Sequence, residues 1–479
     1  MEFETVVGLE THVELASTSK VFCTCKAEFG GDPNSYTCPV CLGLPGSLPV
    51  LNQQSLEMAL KVALAMQCEI PETTIFDRKN YYYPDLPKNY QISQEYQPLA
   101  RHGQFTIHLA EGREKTIGIH NIHLEEDAGK NLHPEVGGRP VSLVDLNRAG
   151  TSLLEIVSEP DMRSLEETQA FMETMRSLLR YLEVSDCKMQ EGSLRFELNI
   201  SVRPRGATEL GTKVEIKNVG SIKAVLRAFD YEVHRQSELL DEGGRIIQET
   251  RLWDDEKGET RPMRVKEGAK DYRYFPEPDL VPLRLERSYL EQLQQALPEL
   301  REARRKRFAS EFEIPDYDAG VLVADKKVAD FFEACCRLHP AAKTFSNWIM
   351  VYILRELKDE DSEISDLPIS PEHLAELARL IDRSVINTNI AKKVMNEMLQ
   401  TGHLPSRIVK EQGLEVVQDR GEVEKWVEEV IAEHPGPAED YRGGKDQTLN
   451  FLLGQVMRKS RGKANPDQVK AVITKKIRG

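Results

Sequence analysis

"VVGLETHVEL", residues 6–15, alternates apolar and polar side chains along its length. Successive side chains of an extended strand point to opposite faces. Val7, Leu9, Thr11, Val13 and Leu15 therefore share one face, and Glu10, His12 and Glu14 share the other. One such strand predicts only a sheet with a buried side and a wet side. The same arrangement recurs along the chain. In "IHLEED" (122–127), Ile122 and Leu124 oppose His123, Glu125 and Asp127. In "RFELNISV" (195–202), Phe196, Leu198, Ile200 and Val202 oppose Glu197 and Asn199. In "KVEIK" (213–217), Val214 and Ile216 oppose Lys213, Glu215 and Lys217, and Glu155 interrupts the apolar run "LLEIVSEP" (153–160).

Several strands thus place a Glu at the centre of a polar face. Like charges gathered on one surface repel unless a cation lies between them. Carboxylates with an occasional His suit a hard cation that also holds phosphates, so the pattern points to Mg²⁺ and ATP. Neither a Walker loop nor a kinase-type Gly-rich loop is present, so such an ATP site has the sheet itself as its platform. Arg78, Lys79, Lys88, Arg148, Arg195 and Lys213 are the basic residues near these strands that can balance phosphates. His120 and His133 flank the "IHLEED" strand, but a lone histidine is more often packed or solvated than a ligand, and neither is taken as one. "DRKNYYYPDLPKNYQISQ" (77–94) reads in two ways. It is either a Pro-rich loop with locally packed aromatics, or a nucleotide or tRNA-end contact with rings for stacking and Lys79 and Lys88 for phosphate.

Four of the eight cysteines cluster as "CTC" and "CPVC", namely Cys23, Cys25, Cys38 and Cys41. In a reducing compartment a clustered four is a metal site more readily than a disulfide framework. Four thiolates close a tetrahedral Zn²⁺ site that leaves no position for substrate, so a structural zinc is expected. Gly30, Gly31, Pro33 and Asn34 let the intervening loop fold back.

With 479 residues, 40% of them hydrophobic and 29% charged, the chain has an ordinary globular composition and a length suited to about three domains. A net charge of −15 argues against a general nucleic-acid coat. It leaves room for a local basic patch, and Arg458–Arg478 supplies one: Arg458, Lys459, Arg461, Lys463, Lys470, Lys475, Lys476 and Arg478 stand against the single acid Asp467. The alternative for this tail is a solvated helix face. No apolar run is long enough to span a membrane, and the acidic start lacks the form of a signal peptide, so a cytoplasmic protein without membrane contact is expected. Strand and helix patterns mix up to residue 290; helices at 53–67 and 164–184 are expected, the second opened by a capping box of Ser164 and Glu167. Beyond the prolines Pro276, Pro278 and Pro282 the patterns are helical, including 288–312, 328–339 and 343–360. An acid- and proline-rich loop (358–373) precedes the last helices. The division expected is 1–290, 291–404 and 405–479, with the cysteine knuckle at 23–41 inside the first part.

Together these stretches resemble the GatB/GatE family, the B subunits of glutamyl/aspartyl-tRNA amidotransferases. The matching segments are "VVGLETHVEL", "DRKNYYYPDLPKNYQISQ", "IHLEEDAGK", "VDLNRAGTSLLEIVSEPDM", "EGSLRFELNISVRP", "EIKNVGS", "GGRIIQETRLWD", "KDYRYFPEPDL", "SNWIM" and "FLLGQVMRKSRGKANP", covering nearly the whole chain. The resemblance implies an α+β fold: a glutamine-synthetase-like cradle on an antiparallel sheet, then an all-helical domain and a small YqeY-like, tRNA-binding helical tail. It implies ATP- and Mg²⁺-dependent phosphorylation of the side-chain carboxylate of Glu-tRNA(Gln) or Asp-tRNA(Asn), followed by amidation with ammonia. The ammonia would come from a glutaminase subunit (GatA), joined through a small linker subunit (GatC) in a GatCAB heterotrimer. Carried onto this sequence, Glu10, His12, Glu125 and Glu155 are the expected catalytic Mg²⁺ residues. Lys79 and Lys88 are the expected phosphate or tRNA-end contacts, with Glu215 beside them as a further site residue. The family usually reads Cys-Asp-Ala-Asn where this chain has Phe196, Glu197, Leu198 and Asn199, and Glu197 is left outside the expected set. Some members lack the four cysteines, so their zinc is expected to be structural. Two other readings compete. A free-standing ligase for a small carboxylate would leave the residues after 290 without a role, and a non-catalytic tRNA scaffold would leave the Glu face without one.

Overall fold

The computed structural model describes residues 2–265, 272–357, 362–416, 420–460 and 462–479. Residues 270–271 of "KDYRYFPEPDL", 358–361 of the acid- and proline-rich loop and Arg461 of the basic tail lie outside the described residues. The chain forms two compact units, Met1–Leu300 and Arg301–Gly479.

An eight-stranded sheet organises the first unit. In chain order its strands are β1 (Phe3–Glu14), β2 (Ala100–His108), β3 (Glu114–Glu126), β4 (Ser152–Ser158), β5 (Leu194–Pro204), β6 (Val214–Lys217), β7 (Glu249–Asp254) and β8 (Glu259–Val265). They lie in the order β8-β7-β6-β5-β1-β4-β3-β2, with β1 central. Every neighbouring pair is antiparallel except β6 and β7, which run parallel. The fold is α+β, with an antiparallel-rich sheet followed by helices.

The period-2 pattern of β1 matches its burial. Val7, Leu9, Thr11 and Val13 are at most 1% exposed, and the three apolar ones share a core with Leu124, Leu154, Ile156, Phe196 and Leu198 of the neighbouring strands. Helices α1 (Gln53–Ala65), α2 (Leu165–Tyr181) and α3 (Ile222–Asp241) contribute Leu60, Phe171, Met175, Val225 and Phe229 to the same core. Each large aliphatic or aromatic side chain buried there contributes about 1.5–3 kcal/mol relative to exposure. The opposite face of the sheet is left for the polar side chains. Ser164 caps α2 by accepting from the Glu167 N–H. The reciprocal half of the expected capping box is shifted by one residue: the Glu167 carboxylate accepts from Arg163 N at 2.6 Å and meets Lys115 Nζ at 2.8 Å.

The second unit is helical and holds two apolar cores. One runs from Phe308 to Val409, and the other from Val423 to Ile477. The helix expected over 288–312 is two helices, Arg287–Gln295 and Arg301–Glu311. Pro298 lies in the break; it has no N–H to donate and drives the residue before it out of the α region. The pattern at 343–360 forms the α-helix Ala342–Trp348, a π-helical turn Ile349–Ile353 and one further α-turn. In the basic tail, Lys459 pairs with Glu429 and Glu433, Lys476 with Glu428, and Arg478 with Asp446. Part of the tail's positive charge is therefore neutralised locally, while Arg458, Lys463, Lys470 and Lys475 have no ion pair among the described residues. Among the described residues, no helix is long and apolar enough to cross a membrane.

Candidate active site

Strand register brings the polar residues of β1, β3 and β4 into one row. His12 of β1 lies opposite Glu155 of β4, and Glu155 lies opposite His123 of β3. His12 Nε2 is 3.3 Å from Glu155 Oε2, and His123 Nε2 is 3.1 Å from the same oxygen. Glu125, two residues along β3, brings Oε2 to 3.7 Å from His123 Nε2 and accepts a hydrogen bond of 2.9 Å from Ser93 Oγ. One donor atom each of His12, Glu125 and Glu155 lie within 4.8 Å of one another. Burial opposes charge on His123, but Glu155 and Glu125 outweigh it and push the imidazole up to about 10. Burial likewise opposes ionisation of Glu155, and the two imidazoles hold it well below the ordinary carboxylate range. A divalent cation held here would have to displace the protons that the carboxylates favour on these rings, so metal binding and protonation would compete.

A second cluster lies beside it. Glu10 of β1 is directly opposite Glu197 of β5, and Asn199 is opposite Glu215 of β6. Glu10, Glu197 and Glu215 each offer an oxygen within 4.8 Å of the other two. Lys217 Nζ sits 2.5 Å from Glu197 Oε2 and 3.7 Å from Glu215 Oε1. Asn199 Nδ2 donates to Glu10 Oε1 at 2.9 Å, and Thr250 Oγ1 donates to Glu215 Oε2 at 2.6 Å. Burial first, then repulsion from Glu155, Glu197 and Glu215, raises Glu10 above the ordinary carboxylate range. Asn199 Oδ1 is buried without a hydrogen-bond partner among the described residues. A crowded set of hard oxygens with an unsatisfied amide oxygen fits a hard cation such as Mg²⁺. Glu197, outside the set expected from sequence, belongs to this cluster; the signal is its pairing with Glu10, which exists only once β1 and β5 are known to be neighbours. His123, placed on the right face but not among the expected ligands, is in the first cluster for the same kind of reason.

Most of the basic residues near the strands already have carboxylate partners. Arg78 makes two bonds to Glu277, at 2.7 and 2.8 Å. Lys88 Nζ lies 2.5 Å from Glu126, and Arg195 and Arg148 lie 2.8 and 3.5 Å from Asp127. Lys213 is exposed beyond the end of β6. Lys79 has no ion pair within 4 Å among the described residues; it lies over the Tyr81 and Tyr272 rings, at 6.0 and 5.2 Å. Burial disfavours its charge, yet Glu125, Glu155 and the tyrosines around it hold its pKa above the ordinary lysine range. Lys79 therefore feels the carboxylates of the first cluster, and Lys88 is held by Glu126. Tyr81 packs edge-on to Tyr272, whereas Tyr82 and Tyr83 are exposed. His120 and His133 stand apart, bonded to Glu159 and Ser142.

A cavity of about 480 Å³ opens at the Glu14 end of β1. Glu14, Asp186, Ser193, Arg148, Lys130 and the exposed ring of Phe29 are among its lining residues. Burial and the neighbouring Asp127 push Glu14 up to about 8.

The four knuckle cysteines bring their Sγ atoms within 4.8 Å of one another, and none of the eight cysteines forms a disulfide. Cys38 N–H donates to Cys41 Sγ at 3.1 Å. Cys41 is lowered to about 4 by the Cys23 thiol, against burial, with help from the Cys38 N–H and Lys20, while burial pushes Cys25 up to about 11. A thiolate among convergent thiols, with no open position, fits a closed zinc site.

Residues 5–291 match the family description "GatB/GatE catalytic domain", and residues 330–477 match "GatB domain". The chain is 50% identical over 477 residues to the B subunit of the aspartyl/glutamyl-tRNA(Asn/Gln) amidotransferase of Carboxydothermus hydrogenoformans, covering 99% of each chain. It is 51% identical over 477 residues to the protein of the same name from Caldanaerobacter subterraneus subsp. tengcongensis, and 51% identical over 480 residues to that from Geotalea daltonii, covering 100% of both chains in each case. With the sheet and its acidic clusters in the matched catalytic region, and helices in the matched second region, the chain belongs to the GatB/GatE family of amidotransferase subunits.

Proposed function

We propose that this chain activates and amidates the side-chain carboxylate of Glu-tRNA(Gln), Asp-tRNA(Asn) or both, as one subunit of a heterotrimer with a glutaminase and a small linking subunit. The observation that carries the reading is the convergence of His12, Glu125 and Glu155 with Glu10, Glu197 and Glu215 on one face of the sheet. Mg²⁺ held by these two sets would neutralise the charge of ATP phosphates during transfer. The first step moves the γ-phosphoryl group of ATP onto the substrate carboxylate and releases ADP. In the second, ammonia adds to the acyl phosphate, phosphate leaves as the acyl C–O bond breaks, and a proton is lost to give the amide.

Each protein group has a role in this scheme. Lys79, buried beside Glu125 and Glu155, supplies a fixed cation for transferred phosphate oxygens, where a dry site strengthens charge stabilisation. Lys217 orients Glu197 and Glu215, and Asn199 orients Glu10. The cavity at Glu14 adjoins the same face and takes the aminoacyl end of the tRNA, with Phe29 available for stacking. The four cysteines hold a structural zinc. Parts 1–290, 291–404 and 405–479 act as cradle, helical domain and tRNA-binding tail; the apolar core of the middle helices continues to Ile408 and Val409.

Trapping tests the first step. With ATP and Glu-tRNA(Gln) but hydroxylamine in place of an ammonia source, the esterified glutamate should become a γ-hydroxamate with one ADP formed per trap. ADP release without hydroxamate would contradict an acyl phosphate.

A further inference from the structure

Lys20 is a fully buried lysine with 0% exposure and no carboxylate ion pair among the described residues. Its Nζ donates to Tyr36 O at 2.7 Å and to Leu146 O at 3.4 Å, and it lies 3.7 Å from Cys41 Sγ. Tyr36 belongs to the loop between the two cysteine pairs. Leu146 belongs to the chain that runs through Arg148 into β4, the strand of Glu155. An ammonium taken out of water needs a compensating negative charge nearby. Two carbonyl dipoles and one sulfur do not supply it in full, but a closed zinc–tetrathiolate centre carries two negative charges in excess.

We propose that Lys20 is the buried counter-ion of the four-cysteine centre and, through Leu146, a positioning residue that ties the centre to the segment leading into β4. The inference rests on the zinc reading of the cysteines. The same two segments are joined by bonds that do not involve Lys20: Asn34 N to Asp145 Oδ1 at 3.0 Å, Leu146 N to Asn34 Oδ1 at 2.8 Å, Tyr36 N to Asn147 Oδ1 at 2.8 Å and Asn147 Nδ2 to Asp32 O at 2.7 Å. Immediately after them, Arg148 bonds Ala128 O and Gly129 O and approaches Asp127. Charge at Lys20 and the bonds at Asn34 therefore make separable contributions. The first governs how tightly the metal is held; the second, together with the Lys20 contact to Leu146 O, governs how firmly the two loops are joined.

The test uses the full-length chain loaded with zinc, and reads metal release into an excess of a chromophoric chelator together with amide hydrogen exchange of residues 144–151. Lys20→Met should release zinc roughly 10–100-fold faster, the usual effect of removing an outer-shell partner of a metal site, and should speed exchange in that segment. The thiolate-to-metal charge-transfer bands of the Co²⁺-loaded variant should shift. Asn34→Ala should speed exchange while zinc release stays near wild type. Lys20→Gln keeps a donor for Tyr36 O without the charge; it covers the case in which the methionine variant does not fold, and should release zinc as fast as Lys20→Met. Release from both Lys20 variants within about twofold of wild type would overturn the proposal while leaving the zinc reading intact. A wild-type chain that takes up no zinc would overturn both.

Discussion

Glu125→Gln isolates the charge of one carboxylate from its shape. Glu125 is 2% exposed, and its Oε2 accepts from Ser93 Oγ at 2.9 Å. Glutamine can accept that bond through its amide oxygen, and Glu155 remains 3.1 Å from His123 as a counter-ion. The fold should therefore lose no more than about 1 kcal/mol, the scale of one neutral hydrogen bond. Chemistry should lose far more. A carboxylate that holds a cation where negative charge develops in a dry site should matter on the scale of one oxyanion-hole donor, about 2.7–4 kcal/mol, or roughly 10²–10³ in rate. The assay supplies ammonia as an ammonium salt, so that glutaminase activity does not enter, and follows amidation of Glu-tRNA(Gln) at saturating ATP. Filter retention of the charged tRNA and a thermal melt run in parallel. Slow amidation with normal tRNA retention is the expected outcome. A rate within about threefold of wild type, or loss of tRNA retention with intact turnover of the bound fraction, would refute a role for Glu125 in the chemistry.

Lys79→Met should slow amidation about 10²–10³-fold, and, with a cation removed beside Glu125 and Glu155, the acid limb of the pH–rate profile should move to higher pH; an unmoved limb would contradict the electrostatic reading. Glu232 is fully buried and bonded to Arg235, Gln236 and Thr260, which hold its pKa below 4.5 against burial. Its folded pKa is depressed, so its stabilisation is present above pH 4.5 and fades as pH falls through the folded value; Glu232→Gln should cost about 3–5 kcal/mol at neutral pH, and its denaturant midpoint should approach that of wild type as pH falls, a constant gap being the contrary result. Truncation after residue 416 removes the core Val423–Ile477 as a unit but keeps Ile408 and Val409 in the preceding one; tRNA affinity should fall while ATP affinity stays near wild type, and equal loss of both would remove the tail from tRNA binding.

The central strand is legible in the sequence because its periodicity is strict: Val7, Leu9 and Val13 are buried and Glu10 and His12 face the other way. The α+β class is what the family resemblance implies, and the mixed strand and helix patterns followed by helices agree with it. Strand adjacency is not legible. The pairing of Glu10 with Glu197 and the contact of His123 with Glu155 are properties of register between strands distant in sequence. Nor does sequence say which cations are already neutralised. Lys88 is as basic as Lys79 in the sequence, yet Glu126 holds one and the rings of Tyr81 and Tyr272 flank the other. Lys20, an ordinary-looking lysine beside a cysteine motif, is fully buried, and the loop of Leu146 brings a carbonyl to its ammonium. At 288–312 the helical spacing of apolar residues masks the local signal of Pro298, and there the proline prevails.

The central claim is that the acidic face of this sheet phosphorylates an aminoacyl-tRNA. It is tested most directly by ATP hydrolysis of the chain co-purified with its partner subunits, measured with and without Glu-tRNA(Gln) and, separately, with free glutamate. Stimulation by the charged tRNA and not by free glutamate is predicted. Stimulation by free glutamate alone would contradict the account and identify a small-molecule ligase.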